Sequence, residues 1–270
     1  SLHDALPISS WYMSQLVFNR YEKKYLIPEP IYLMLREQLK EHMIMEQHGL
    51  STICNIYYDT LDDLLIRRSI EHPRYKEKLR LRSYGIPQKD SRVFLEIKKK
   101  YGRIVNKRRI ELPLEEAYDY LNLGIRPYND SQILREIDFF LQRYSLKPKL
   151  YLAYDRIALY GKEDPEFRLT FDSLIRSRRV NLGLEHGDFG TLLLPNSWYL
   201  MESKILNATP KWFSDLLAKL KIYSISFSKY GNIYKKEHGA WNAKGIMLHR
   251  LENWRSIQLE IGRASCRERV

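Results

Sequence analysis

The ten residues Tyr75–Tyr84, YKEKLRLRSY, carry Lys76, Lys78, Arg80 and Arg82 at every second position. Side chains alternate across a strand, so these four cations share one face. Tyr75, Glu77, Leu79 and Leu81 share the other. The apolar face demands a core beneath it. The basic face demands either water or an anionic filling. Water is the ordinary partner of a charged strand face, and this strand alone leaves both open.

Other strand-like runs repeat the pattern. Arg92–Tyr101 aligns Phe94, Glu96, Lys98 and Lys100, and Lys149–Tyr160 aligns Tyr154 and Arg156. Glu166–Phe171 aligns Arg168 and Thr170, with Asp172 following, opposite Phe167, Leu169 and Phe171. Trp198–Leu206 aligns Glu202 and Lys204, and Val17–Ile27 aligns Arg20, Glu22 and Lys24. A closed antiparallel barrel gathers such faces around one lumen. Like charges confined there repel unless an anion neutralises them, so the pattern predicts a bound polyphosphate. Arg suits this role because its planar fork bonds phosphate oxygens in pairs, while Lys supplies compact charge.

The remaining elements fit one domain. Pro28 and Pro30 end the first strand and open a helix over 31–43. A β-branched and aromatic run, Ser51–Thr60, reads as a strand, and Leu61–Ile70 as a short helix. Ile104–Leu112 is a strand joined to its predecessor through Gly102 and Arg103. Helical stretches are expected near 114–123, 131–144 and 212–220, with short strand-like runs at 192–194 and 224–229. The fold class expected is α+β, an antiparallel β-barrel with peripheral helices.

The formal net charge is +12, which predicts a polyanionic partner. Basic residues alternate along strands rather than clustering with aromatics in a binding module, which argues against nucleic acid. Two cysteines give no disulfide framework or zinc pattern, which points to a reducing compartment. No apolar run approaches the roughly 20 residues of a membrane span. The expectation is a cytoplasmic chain, with docking to a membrane-protein partner at the inner membrane face left open. Residues 1–9 and 261–270 read like translated sequencing-adapter DNA and are set aside as non-native ends. Residues 13–236 carry the domain, and 237–260 form a tail without clear strand or helix pattern.

Eight segments occur in a telling order: RYEKKY (20–25), YYDT (57–60), KLRLRSYG (78–85), FLEIKKK (94–100), AYDRIAL (153–159), FRLTFD (167–172), LMESK (200–204) and SFSKYG (226–231). Together they resemble the VTC domain of polyphosphate polymerases, a branch of the triphosphate-tunnel superfamily. The resemblance implies a triphosphate-type tunnel that extends inorganic polyphosphate from ATP and releases ADP. By position it implies that Lys24, Arg80, Arg82, Lys98 and Arg156 grip phosphate, with Lys204 beside them and Ser228 and Lys229 at the closing segment. It implies Glu202 as a metal-binding carboxylate, and Glu22 or Glu96 can join it in holding Mn²⁺ or Mg²⁺, since oxygen ligands suit both ions. Tyr154 would line the tunnel. Lys100 stands where a relative carries His, and Ser226 where a relative carries Lys.

Plainer roles stand beside these. Glu22, Glu96 and Glu202 can serve as structural salt-bridge partners, the favoured role for Glu96. Asp172 is expected to pair with Arg168 or Arg176, and Arg176, Arg178 and Arg179 to form a solvated cluster. Ser228 can cap a helix starting near Lys229. Tyr21, Tyr25, Tyr57 and Tyr58 read as wall or core. The alternative activity is a metal-dependent tunnel triphosphatase, and a non-catalytic polyphosphate-binding domain is a third reading. Tunnel hydrolases usually show ExExK in the first strand, whereas Arg20, Glu22 and Lys24 stand here, which favours the polymerase.

Overall fold

The computed structural model describes residues 21–267, except 72, 103, 129–130, 207 and 242. Arg20 and the start of the first expected strand lie outside the described residues.

Among the described residues, nine strands form one antiparallel sheet: β1 (Tyr21–Pro28), β2 (Met43–Asp59), β3 (Tyr75–Tyr84), β4 (Arg92–Tyr101), β5 (Ile104–Pro113), β6 (Lys147–Gly161), β7 (Arg168–Arg178), β8 (Thr191–Leu192) and β9 (Trp198–Ile205). The order is β1-β9-β7-β6-β2-β3-β4-β5, with β8 attached to β7. Between strands lie the helices α1 (Glu29–Leu39), α2 (Leu64–Ile70), α3 (Leu114–Tyr118) and α4 (Gln132–Arg143), and after β9 come α5 (Lys211–Lys219), α6 (Lys229–Glu237) and α7 (Ala243–Arg267). None is long and apolar enough to cross a membrane, among the described residues.

Helices cover the outer face of the sheet in two groups. Leu79, Leu81, Leu95 and Ile97 pack with Leu134, Ile137 and Phe140 of α4. Tyr25, Ile27, Leu169, Phe171 and Met201 pack with Leu35 and Leu39 of α1 and Phe213 of α5. Those outward residues are the apolar partners of the alternation, so the charged set turns inward. The inner face is apolar at one end: Leu26, Ile53, Leu152 and Leu200 pack against Ile66 of α2 and Tyr230 and Ile233 of α6. Along β1 and β9 the lining therefore passes from Glu22, Lys24, Glu202 and Lys204 to Leu26, Leu200 and Trp198.

Four features differ from the sequence reading. The barrel is curled but not closed by hydrogen bonds, because the strand path ends at β1 and β5. The segment 224–229 supplies a single bridge, Lys24 to Ile225, and then turns into α6. Strand β7 runs past Phe171 to Arg178. A register shift opposite Tyr154 and a positive φ of 47° at Leu174 mark a bulge, after which Ile175 joins the inner core. Finally, α7 occupies most of the tail in which no helix pattern was read, and buries Ile257 against the outer core.

Candidate functional site

Strand alternation and register carry the cations of six strands to one concave face. Arg80 pairs across the ladder with Glu96 and with Tyr57, Lys78 with Lys98, Lys24 with Glu202, and Arg156 with Asp172. The curl of the sheet brings distant strands together. Burial depresses the Lys98 pKa, and Glu22 of β1 and Glu202 of β9 partly offset this. Lys98 on β4 thus faces the opposite end of the strand path. This is the convergence that the alternation predicts.

Two buried carboxylates organise the cations. Glu96, 1% exposed, accepts from Arg80 Nε at 2.6 Å, and Lys107 Nζ lies 2.8 Å from its other oxygen. Arg82 and Arg109 stand 3.8 Å away. Burial alone would raise the Glu96 pKa, but Arg80, Arg82 and Lys107 hold it down to about 2. Asp172, wholly buried, accepts two bonds from Arg156, at 2.6 and 2.8 Å, and one from Lys229. Its carboxyl lies well below the usual range, because Arg156 and Lys229 outweigh burial. The expected partners Arg168 and Arg176 are not its partners: Arg176 bonds Asp155 and Asp188 instead. Register decides this, since Asp172 sits opposite Arg156 on the inner face.

Tyrosines fix the arginine heads. Arg80 Nη1 donates to the Tyr57 hydroxyl at 3.2 Å, and Arg82 donates to Asn55 at 3.0 Å and to the Tyr154 hydroxyl at 3.3 Å. The Tyr154 ring lies beside Arg156 and Lys229, whose charged heads are 5.0 and 4.4 Å from its centroid. Burial would raise the Tyr57 phenol, yet Arg80 and Lys78 bring it down to about 8. Such a shift reports a strongly positive cavity.

Lys78 extends that positive zone. It stands between Tyr57, Ser228 and three lysines, with Nζ 3.3 Å from Ser228 Oγ. Burial first, then Lys76, Lys98 and Lys24, lower its pKa to about 8. Ser228 has a second role as the N-cap of α6, accepting from the Gly231 amide at 3.2 Å. Lys100 lies outward along the same face, opposite Lys76.

Glu22 and Glu202 lie diagonally across β1 and β9, since Glu22 opposes Lys204 and Lys24 opposes Glu202. Lys24 bonds Glu22 at 2.8 Å, and Lys204 is 3.6 Å from Glu202. Burial would raise the Glu22 pKa, while Lys24, Lys98 and Lys204 hold it at about 2, so it is charged at neutral pH. Among the described residues no group of three metal-ligating side chains occurs. Two carboxylates suit Mg²⁺ or Mn²⁺ when phosphate oxygens and water complete the shell, so the residues present fit such an ion.

All the site residues named from sequence, Glu22, Lys24, Arg80, Arg82, Lys98, Lys100, Tyr154, Arg156, Glu202, Lys204, Ser228 and Lys229, belong to this concave face or to the α6 start beside it. Sequence reasoning passed over Asn55 and Lys78 as site residues and misplaced Asp172. Lys78 was legible, being part of the opening alternation. Asn55 was not, because one Asn in an apolar strand carries no signal. The arginine cluster was also misread. Arg178, 7% exposed, donates to the carbonyls of Asn181, Phe189 and Gly183 and lies 3.4 Å from the Tyr151 ring centroid.

The VTC domain profile matches residues 19–238. Vacuolar transporter chaperone complex subunit 4 of Trypanosoma cruzi (strain CL Brener) is 25% identical over 220 residues, covering 67% of this chain. The match spans only 28% of that relative's length. Two solved structures are similar in fold. One is a protein of Bacillus halodurans assigned as an adenylate cyclase, with TM-score 0.48, 16% identity, and coverage of 78% of this chain and 95% of that one. The other is an adenylyl cyclase of Hippeastrum described as having a dominant triphosphatase activity, with TM-score 0.49, 16% identity, and coverage of 82% and 96%. With the profile matched across most of its length and the motif strands gathered around one basic lumen, this chain belongs to the VTC domain family.

Proposed function

We propose that this domain is a polyphosphate polymerase: it transfers the γ-phosphate of ATP to the end of an inorganic polyphosphate chain and releases ADP. The observation that carries the reading is the convergence of Lys24, Lys98, Arg80, Arg82, Arg156 and Lys204 on one lumen whose four acids, Glu22, Glu96, Asp172 and Glu202, leave a cationic excess. Such an excess suits a polyanion longer than one phosphate.

Phosphoryl transfer asks mainly for alignment and charge neutralisation. Arg80 and Arg82, two residues apart, present forked donors to successive phosphates. Glu96, Tyr57, Asn55 and Tyr154 hold those forks in place before substrate arrives, which lowers the ordering cost. Arg156 and Lys229, positioned by Asp172, grip the next phosphates. An oxygen of the chain-terminal phosphate attacks the γ-phosphorus. The bond from that phosphorus to the β–γ bridging oxygen breaks, and the electron pair leaves with ADP. A divalent cation on Glu202 and Glu22 would screen the γ-phosphate charge during the exchange. The T. cruzi relative is a complex subunit by name, and docking to a membrane-protein partner at the cytoplasmic face is part of the proposal.

The test is incubation of the pure protein with ATP and Mn²⁺, with polyphosphate and free phosphate both assayed. Long chains with stoichiometric ADP are expected, and their loss in Glu202→Gln. Free phosphate without polymer would favour the triphosphatase instead.

A further inference from the structure

Thr170 lies near the start of β7 and is 7% exposed. Its neighbours Leu169 and Phe171 enter the outer core, so Thr170 faces the lumen. Its hydroxyl oxygen is buried and has no hydrogen-bond partner among the described residues. On β6 it opposes Ala158, which offers no polar side chain, and on β9 it directly opposes Glu202. Directly opposed side chains on neighbouring strands have Cβ atoms about 5 Å apart.

An orphaned hydroxyl beside a carboxylate is unusual, because leaving a buried donor unmade costs on the order of 1–3 kcal/mol. Lys204, the cation on Glu202, stands 3.6 Å off, beyond hydrogen-bond length. A third party bound by both oxygens would account for the unpaired hydroxyl. A cation there would take a lone pair from each oxygen. An anion would be repelled by Glu202, whereas a hard divalent cation takes a hydroxyl and a carboxylate oxygen together.

We propose that the Thr170 hydroxyl is a ligand of the divalent cation held by Glu202, a third protein oxygen in that shell. This rests on the metal-assisted reading given above. It assigns β7, as well as β1 and β9, to the cation site.

Calorimetric titration of inorganic tripolyphosphate, with Mn²⁺ and with EDTA, tests this in wild type, Thr170→Val and Thr170→Ser. Comparing variants at equal Mn²⁺ cancels the metal–phosphate equilibrium in solution. In wild type, Mn²⁺ should tighten binding. Thr170→Val should lose about tenfold or more of that gain, the scale of ligand-shell losses, with unchanged affinity in EDTA. Thr170→Ser should keep most of the gain. The metal-free Thr170→Val protein should melt at the same temperature or higher, since an isosteric methyl replaces an unsatisfied hydroxyl. A full Mn²⁺ gain in Thr170→Val overturns the inference while leaving the metal reading intact. So does a loss confined to EDTA, which would assign the hydroxyl to phosphate. Absence of any Mn²⁺ gain in wild type sinks the metal reading itself.

Discussion

Arg156 and Asp172 face each other across β6 and β7 as a two-pronged ion pair, Nε to Oδ1 at 2.6 Å and Nη2 to Oδ2 at 2.8 Å. Lys229, from the start of α6, reaches the same carboxylate. One buried acid therefore fixes two cations from separate elements. It orders the lumen and ties α6 to the sheet.

Asp172→Asn keeps the shape and removes the charge, leaving two cations facing each other. Removing one partner of a buried ion pair costs about 3–5 kcal/mol, so the melting temperature should fall clearly. Tripolyphosphate should restore more of it in the variant than in wild type, because it supplies the missing negative charge. An unchanged melting temperature without ligand would show that Asp172 does not organise the site.

Binding should depend on pH through Lys78 and Tyr57, both near 8. Lys78 loses its positive charge above that pH and Tyr57 gains a negative one, so both changes weaken anion binding between pH 7 and 9. The fold responds in the opposite sense. The Lys78 pKa is lowered in the folded state, so between about 8 and the ordinary 10.5 the unfolded chain binds the extra proton and this group favours folding as pH rises. Lys78→Met should weaken tripolyphosphate binding at pH 7 and flatten the decline toward pH 9. An undiminished slope in Lys78→Met combined with Tyr57→Phe would contradict the assignment.

Arg82→Lys retains charge but loses the fork that serves Asn55 and Tyr154. Charge-assisted hydrogen bonds contribute on the order of 1.5–3 kcal/mol, so ATP turnover should fall roughly tenfold to a hundredfold. Arg82→Ala should lose more. Normal turnover in Arg82→Lys would reduce Arg82 to a point charge.

Arg178→Ala should behave in the reverse manner. Its three carbonyl contacts and its place over Tyr151 hold the 181–189 loop to the sheet. Denaturant unfolding should show a loss of about 2 kcal/mol or more, with turnover per folded molecule near wild type. A variant as stable as wild type would return Arg178 to the solvated surface.

The alternation of charge and apolar side chains made β3, β4 and the inner face of the sheet legible, because period two is a direct record of which face is buried. Bulges are not recorded that way. At Leu174 one extra residue flips the phase, so β7 read as ending at Phe171. Partner choice was equally hidden: Asp172 lies close in sequence to Arg168 and Arg176, but only register shows that Arg156 is opposite. Edge closure was also beyond the pattern, since alternation shows curvature's lining and not whether β1 meets β5. Arg178 was misjudged because an arginine's stem and head can both be buried when carbonyls receive its donors.

A crystal of the protein grown with inorganic tripolyphosphate decides whether a phosphate chain lies inside the lumen. Phosphate density is expected between Arg80, Arg82, Arg156 and Lys24, with Arg and Lys nitrogens at hydrogen-bond distance from its oxygens. An empty lumen, with tripolyphosphate bound only on the outer, helix-covered face, would contradict it.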